Sequence, residues 1–170
     1  MSENFPSLQA SRSAARWLWL SALAIVLDQI SKYLVVRHLA MHEPLALVPS
    51  LNLTLMYNTG AAFSFLSQAG GWQRWMFTGV AVLVSVVLVV WLKRLSAKKC
   101  WEAAALALIL GGALGNVIDR IRLGHVVDFI QVYYRDWFFP AFNVADSAIT
   151  LGVILLLLDA VVKPRPDSTL

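Results

Sequence analysis

Two aspartates lie in apolar company, where an aspartate is least expected. Asp128 sits in GHVVDFI (Gly124–Ile130), and Asp146, eighteen positions later, in FNVADSAITLGVILLLLDAVV (Phe142–Val162). If the chain folds so that the two carboxyls meet in a low-dielectric pocket, both cannot ionise. Desolvation and mutual repulsion raise one pKa, and the pair shares a proton near neutrality. One base and one acid then stand in the same cleft. The ionised member activates water, while the protonated member polarises a carbonyl and then serves a leaving amine. That is peptide-bond hydrolysis without a metal or a covalent intermediate. Spacing alone leaves the pairing open, because aspartate pairs are common.

Other residues with chemical potential have plainer readings beside the functional ones. Asp28 and Lys32 are spaced i,i+4 and can neutralise one another on one helix face. Asp119 and Arg120 suit interfacial charges, and Asn116 and Asn143 suit hydrogen bonding between helices. His38 and His42 share an i,i+4 spacing resembling half a metal site, but no HExxH follows and Glu43 is wrongly placed. No metal site is expected from these spacings. Ser147 and Ser64 lack evident His–Asp partners for a serine mechanism. The single Cys100 excludes an internal disulfide and offers no zinc spacing.

The elements that must position these groups are membrane spans. The chain is 59% hydrophobic and only 14% charged, against about half and a quarter in soluble domains. Its net charge of +4 comes from basic residues that bracket apolar runs rather than forming a patch, so nucleic acid is not the expected partner. Four segments, near 16–36, 73–92, 101–118 and 142–162, approach the roughly 20 residues needed to cross hydrocarbon. The reading is an all-α membrane protein of one domain, residues 1–170. The first segment also resembles a secretory signal, but no small-x-small site follows and hydrophobicity resumes with YLVV, so a retained helix is expected. Trp72, Trp75 and Trp91 frame the second span as interfacial aromatics. Gly111 and Gly115 in GGALG predict close helix approach at the third. Arg12 and Arg16, Lys93, Arg94, Lys98 and Lys99, and Lys163 and Arg165 share one side if both termini are cytoplasmic.

Between spans one and two, LNLTLMYN alternates Leu51, Leu53, Leu55 and Tyr57 with polar or softer residues. That predicts a strand with one apolar face, part of a small sheet on the outer leaflet. YNTGAAF then predicts a turn at Asn58–Gly60 and an apolar return to the membrane. The aromatics of VYYRDWFFP fit the headgroup level. With a rise of about 1.5 Å per residue, Asp28 lies roughly 18 Å from Arg16, in the outer half of the bilayer. Asn116, Asp119, Arg120, Asn143 and Asp146 fall at outer ends of spans, so the polar chemistry gathers on one side. Span four tolerates Asp146: about 2.5–3.5 kcal/mol at a helix centre, less near an end, is offset by ten following Leu, Ile and Val residues.

LDQISK (Leu27–Lys32), YNTGAAFS (Tyr57–Ser64), GGALGNVIDRIRLGHVVDFI (Gly111–Ile130) and FNVADSAI (Phe142–Ile149) together resemble the lipoprotein signal peptidase, or signal peptidase II, family. The likeness runs in order from about Trp17 to Val162. It implies a bacterial inner-membrane aspartic endopeptidase without cofactor, which removes signal peptides from diacylglyceryl-modified prolipoproteins by cutting just before the lipidated cysteine. On that resemblance Asp128 and Asp146 are the catalytic dyad. Asn58, Asn116, Arg120 and Asn143 line the cleft, and Asp28, Lys32 and Asp119 support it. Globomycin-type cyclic peptides are the implied inhibitors, and membrane lipids the implied surroundings. A proton-relay transporter using Asp28, Lys32, Asp128 and Asp146 is the rival reading, but midplane polar groups and paired repeats are lacking. A noncatalytic scaffold built on GGALG is the third.

Overall fold

The computed structural model describes residues 13–60 and 71–162. A short 3-10 turn, Ala14–Trp17, leads into α1 (Leu18–His38). Strands β1 (Leu45–Val48) and β2 (Leu51–Asn58) follow, then α2 (Trp72–Arg94) and α3 (Cys100–Arg122). The chain continues through β3 (Val126–Tyr134), β4 (Trp137–Phe138) and α4 (Val144–Val162). All four helices are long and apolar enough to cross a membrane. The strands form one antiparallel sheet in the order β1-β2-β3-β4. The helices lie within two residues of the expected spans, except that α3 runs four residues further at its C-terminal end. The expectations placed on Arg12, Lys163, Arg165, Ser64 and the apolar return after Gly60 lie outside the described residues.

Helix α3 is the central element. Two-thirds of its apolar window (67%) is buried, against 17–28% for the other three, and it packs on α1, α2 and α4. Its small residues explain this. Gly111 meets α1, where a Cβ would stand 2.8 Å from the Ser21 carbonyl oxygen, and Ser21 Oγ donates to the Ala107 carbonyl at 2.7 Å. Without water to drive association, such close packing and interhelical hydrogen bonding hold apolar helices together. The outward faces of α1, α2 and α4 carry Leu27, Ile30, Val80, Leu83, Leu157 and other exposed apolar side chains, suited to lipid. At one end of the molecule Ala14 N donates to Leu95 O at 3.1 Å and Ser13 Oγ to Lys93 O at 2.9 Å. Arg16, Lys93, Arg94, Lys98 and Lys99 therefore share an end, and the sheet occupies the other.

Two local expectations change. The helix stops at His38, and His42 adopts φ 64°, so the two histidines do not share a helical face. Strand β2 does not present one apolar face along its length. Asn52 and Thr54 are buried in its first half, and Leu55 in its second, packed with Val35, Val127 and Phe129. The register shift between Leu53 and Met56 causes this, because an inserted residue reverses the alternation.

Gly152 of α4 lies against α3, where a Cβ would stand 2.6 Å from Ile109 Cγ1 and 2.7 Å from the Ala105 carbonyl oxygen. Gly152→Ala is expected to lower stability by about 1–3 kcal/mol, read as a reduced Tm in detergent. Gly79→Ala, which meets nothing within 4 Å, should leave Tm unchanged or slightly raised.

Candidate active site

The site forms where the start of α4 meets β3. Phe142 is stitched onto β3, its N–H donating to Ile130 O at 3.0 Å while its carbonyl accepts from Ile130 N at 2.8 Å. The next residue, Asn143, therefore arrives beside Val127 and Asp128. It also caps α4: Asn143 Oδ1 accepts from Asp146 N at 2.9 Å, and Asp146 Oδ2 accepts from Asn143 N at 3.2 Å. This is a reciprocal capping box, with Asp146 in the third helical position. Because α4 begins at Val144, Asp146 lies in its first turn. A second free helix N–H, that of Ala145, is taken by Asp28 Oδ1 of α1 at 2.9 Å. The positive end of the helix dipole favours both carboxylates.

Asn143 also joins the two sequence-predicted aspartates. Its Nδ2 donates to Asp128 Oδ1 at 2.6 Å, with longer contacts to Asn116 Oδ1 at 3.2 Å and Val127 O at 3.3 Å. The other Asp128 oxygen accepts from Asn58 Nδ2 at 2.9 Å, and Asn58 is itself oriented by Gly60 N at 2.9 Å. Asn58 lies diagonal to Asp128 on one sheet face, since Met56 pairs with Asp128 and Asn58 with Val126. Asp146 Oδ1 accepts from Asn116 Nδ2 at 2.8 Å. Behind Asn116, the Lys32 ammonium contacts Asn116 Oδ1 at 3.1 Å, Asp28 Oδ2 at 2.9 Å and Asp119 Oδ2 at 2.8 Å. Asp119 further accepts from Val127 N at 3.2 Å, tying the start of β3 to α3. The chain makes that turn through Leu123 and Gly124, whose φ of 86° suits glycine past a helix end.

All nine sequence-predicted residues are thus in or beside one cluster. The Asp28–Lys32 pair is more than mutual neutralisation, because it reaches Asp119 and Asn116. Arg120 is the loosest member. Its guanidinium lies 5.6 Å from the Phe77 ring centroid and within Coulombic range of Asp146, Asp128 and Asp119, but among the described residues its one direct bond there is a 3.5 Å contact from Nη1 to Asn116 O. Gln29 was missed: its Nε2 contacts Asp119 Oδ1 at 2.9 Å, Asp28 Oδ2 at 3.2 Å and Gly115 O at 3.3 Å. Its place in LDQISK, beside Asp28, was the available signal. The capping box was also missed, though an Asn three residues before an acid, ahead of an apolar run, announces it.

Asp128 is buried, while Asp146 is half-buried and lines a cavity of about 480 Å³ with Phe139, Phe142, Ser147, Thr150, Leu151 and Ile154. This groove runs down α4 from the carboxylate and is mostly apolar. Burial pushes the Asp128 carboxyl up from 3.8 to about 6; the nearby Asp146 charge adds to the rise, and Asn58, Asn143 and Lys32 oppose it. A second cavity, of about 320 Å³, lies at the far end of α4 and is lined by Trp101, Leu155, Leu158, Asp159 and Val162. The arrangement can hold one proton between two carboxyls at the mouth of an apolar groove.

Fold and site together define a multi-pass membrane protein with a buried acid–amide cluster at one end of its helices. Residues 20–162 match the Peptidase_A8 family, signal peptidase (SPase) II. Similar proteins named lipoprotein signal peptidase include one from Pseudomonas syringae pv. tomato, 55% identical over 155 residues and 90% of each chain. Another, from Acinetobacter baumannii, is 59% identical across 90% of this chain and 88% of its own. Two solved bacterial membrane enzyme structures superpose with a TM-score of 0.76. One is 29% identical over 89% of this chain and 93% of the other; the second is 31% identical over 88% and 94%. The chain belongs to the signal peptidase II family.

The raised Asp128 pKa has a defined consequence for stability. The folded protein binds this proton more tightly than the unfolded chain, so Asp128's contribution is greatest below 3.8 and is lost as pH rises through about 6. Relative to Asp128→Asn, the wild type should lose roughly 2 kcal/mol between about pH 4 and pH 7. Denaturant unfolding of both proteins across that range measures it.

Proposed function

We propose that the chain is a membrane aspartic endopeptidase that removes the signal peptide from diacylglyceryl-modified prolipoproteins, cutting just before the lipidated cysteine. The observation that carries the reading is the Asn143 bridge, from its side chain to Asp128 at 2.6 Å and its backbone N–H to Asp146 at 3.2 Å, at the mouth of the α4 groove. Two carboxyls so linked are suited to sharing a proton. Asp128, with its carboxyl pushed up to about 6, is the natural carrier of it.

In this reading ionised Asp146 removes a proton from water as the oxygen attacks the scissile carbonyl carbon. Protonated Asp128 donates a hydrogen bond to the carbonyl oxygen as negative charge develops there. Collapse breaks the carbon–nitrogen bond, and the Asp128 proton passes to the departing amine of the cysteine. The products are a carboxylic acid and a free amine. Proton exchange across the pair, from Asp146 back to Asp128, restores the resting state.

The apolar groove fits the membrane-embedded stretch of a signal peptide, whose cleavage point lies near an interface. Exposed Trp137, Phe138 and Phe139 beside it suit lipid headgroup depth. We place the protein in the bacterial inner membrane with both termini cytoplasmic and the aspartates near the outer face. Arg16, Lys93, Arg94, Lys98 and Lys99 at the opposite end support that direction. A globomycin-type cyclic peptide would compete for the same cleft.

Purified protein in detergent should shorten a diacylglyceryl-modified precursor and leave an unlipidated control intact. Asp128→Asn and Asp146→Asn should each lower kcat by on the order of 10³-fold or more with the fold retained. Cleavage of both precursors alike would remove the lipid requirement. Full turnover by either variant would remove the dyad. Because one proton must remain on the pair, kcat/KM is expected to fall on the alkaline side with an apparent pKa of about 6.

A further inference from the structure

Lys32 is 3% exposed, and each of its three ammonium protons has a taker: Asp28, Asp119 and Asn116. The Asp119 contact explains how α1 is fastened to α3, and the two carboxylates together explain how a buried cation is tolerated. They do not explain the third. An ammonium carries donors only, so it can face nothing but the oxygen of the Asn116 amide. The amide nitrogen is thereby turned the opposite way, where it donates to Asp146 Oδ1 at 2.8 Å. Asn143 Nδ2, 3.2 Å from the same Asn116 oxygen, reinforces that orientation.

We propose that Lys32 is a positioning residue for hydrolysis, locking the Asn116 amide so that a donor and never an acceptor meets Asp146. This rests on the two-aspartate reading above. A rotated Asn116 would set its NH2 against the ammonium and its oxygen against a carboxylate. Two hydrogen bonds would be exchanged for two repulsions. With the lock in place, one Asp146 oxygen is held by Asn116 and the other by the Asn143 backbone N–H, so the carboxylate plane is fixed toward the groove. The polarity of the buried cation is passed through the amide dipole to the base. The other charged groups facing Asp146 are Arg120 of α3 and Asp128 of β3. Neither bonds to the Asn116 side chain, so neither can set its orientation.

Lys32→Met alone leaves Asp28 and Asp119 as buried carboxylates without their cation and risks unfolding. Lys32→Met with Asp119→Asn preserves the cluster's net charge of −1, and Asp119→Asn alone serves as its control. In detergent, with Tm measured in parallel, the double variant should lower kcat by about 10- to 100-fold relative to Asp119→Asn, with KM changed little. That is the scale of losing one hydrogen bond to a charged group. The deciding measurement repeats the Lys32 change in an Asn116→Ala background. If Lys32 acts through Asn116, the further loss there is less than about threefold. Losses that multiply in that background, or wild-type kcat in a folded double variant, overturn the proposal. Turnover retained by Asp146→Asn would instead overturn the dyad reading itself, so the two failures are distinguishable.

Discussion

One buried ammonium organises the end of this protein at which the sheet lies. Lys32 reaches from α1 to Asp119 and Asn116 on α3, and to Asp28 on its own helix. Its partners extend the connection. Asp28 takes a free N–H at the start of α4, and Asp119 takes the N–H of Val127 at the start of β3. Three helices and the sheet are thus joined through a single cation and two carboxylates. Removing one partner of such a buried set typically costs 3–5 kcal/mol, because the remaining charges are left uncompensated. The positions of Asn143, Asp146 and Asp128 follow from elements this cluster ties together.

Surrounding lipid explains why polarity is concentrated at one end. Apolar side chains gain nothing by burial against one another in hydrocarbon, so α1, α2 and α4 expose theirs, and α3 is held by close contact at glycine and alanine. A helix start offers a place where acids are tolerated in that setting. Free N–H groups and the dipole at the start of α4 receive Asp28 and Asp146 together, so their charge is met by oriented donors rather than by water. Asp128 is placed differently, on a strand whose bulged neighbour β2 turns Asn58 toward it. Its two amide donors do not offset desolvation, which is why its carboxyl stands near 6 while remaining buried. Reactivity and stability are opposed at this position, as expected where a carboxyl must hold a proton near neutral pH.

Much of this was legible in the residues. Hydropathy, summed over windows of about 20 positions, is local and additive, so the four spans and the small β-element could be read directly. The interruption of apolar runs by Asp28, Lys32, Asn116, Asp128 and Asp146 likewise marked the cluster's members, since polar residues in hydrocarbon need partners. The alternation in LNLTLMYN identified a strand but misplaced its buried face, because a bulge shifts register without a signature in residue type. The histidine spacing failed for a related reason: it assumed a helix that ends at His38.

Who faces whom was decided only by the fold. The sequence predicted that four aspartates, three asparagines, a lysine and an arginine would gather at one end of the spans. It could not say that Phe142 pairs with β3 and so delivers Asn143 to Asp128, or that Lys32 meets the oxygen rather than the nitrogen of Asn116. Depth in a bilayer depends on how many apolar residues come before a position, which a chain carries in its order. Hydrogen bonds depend on direction over about 3 Å, and directions between distant segments exist only once the backbone has closed upon itself.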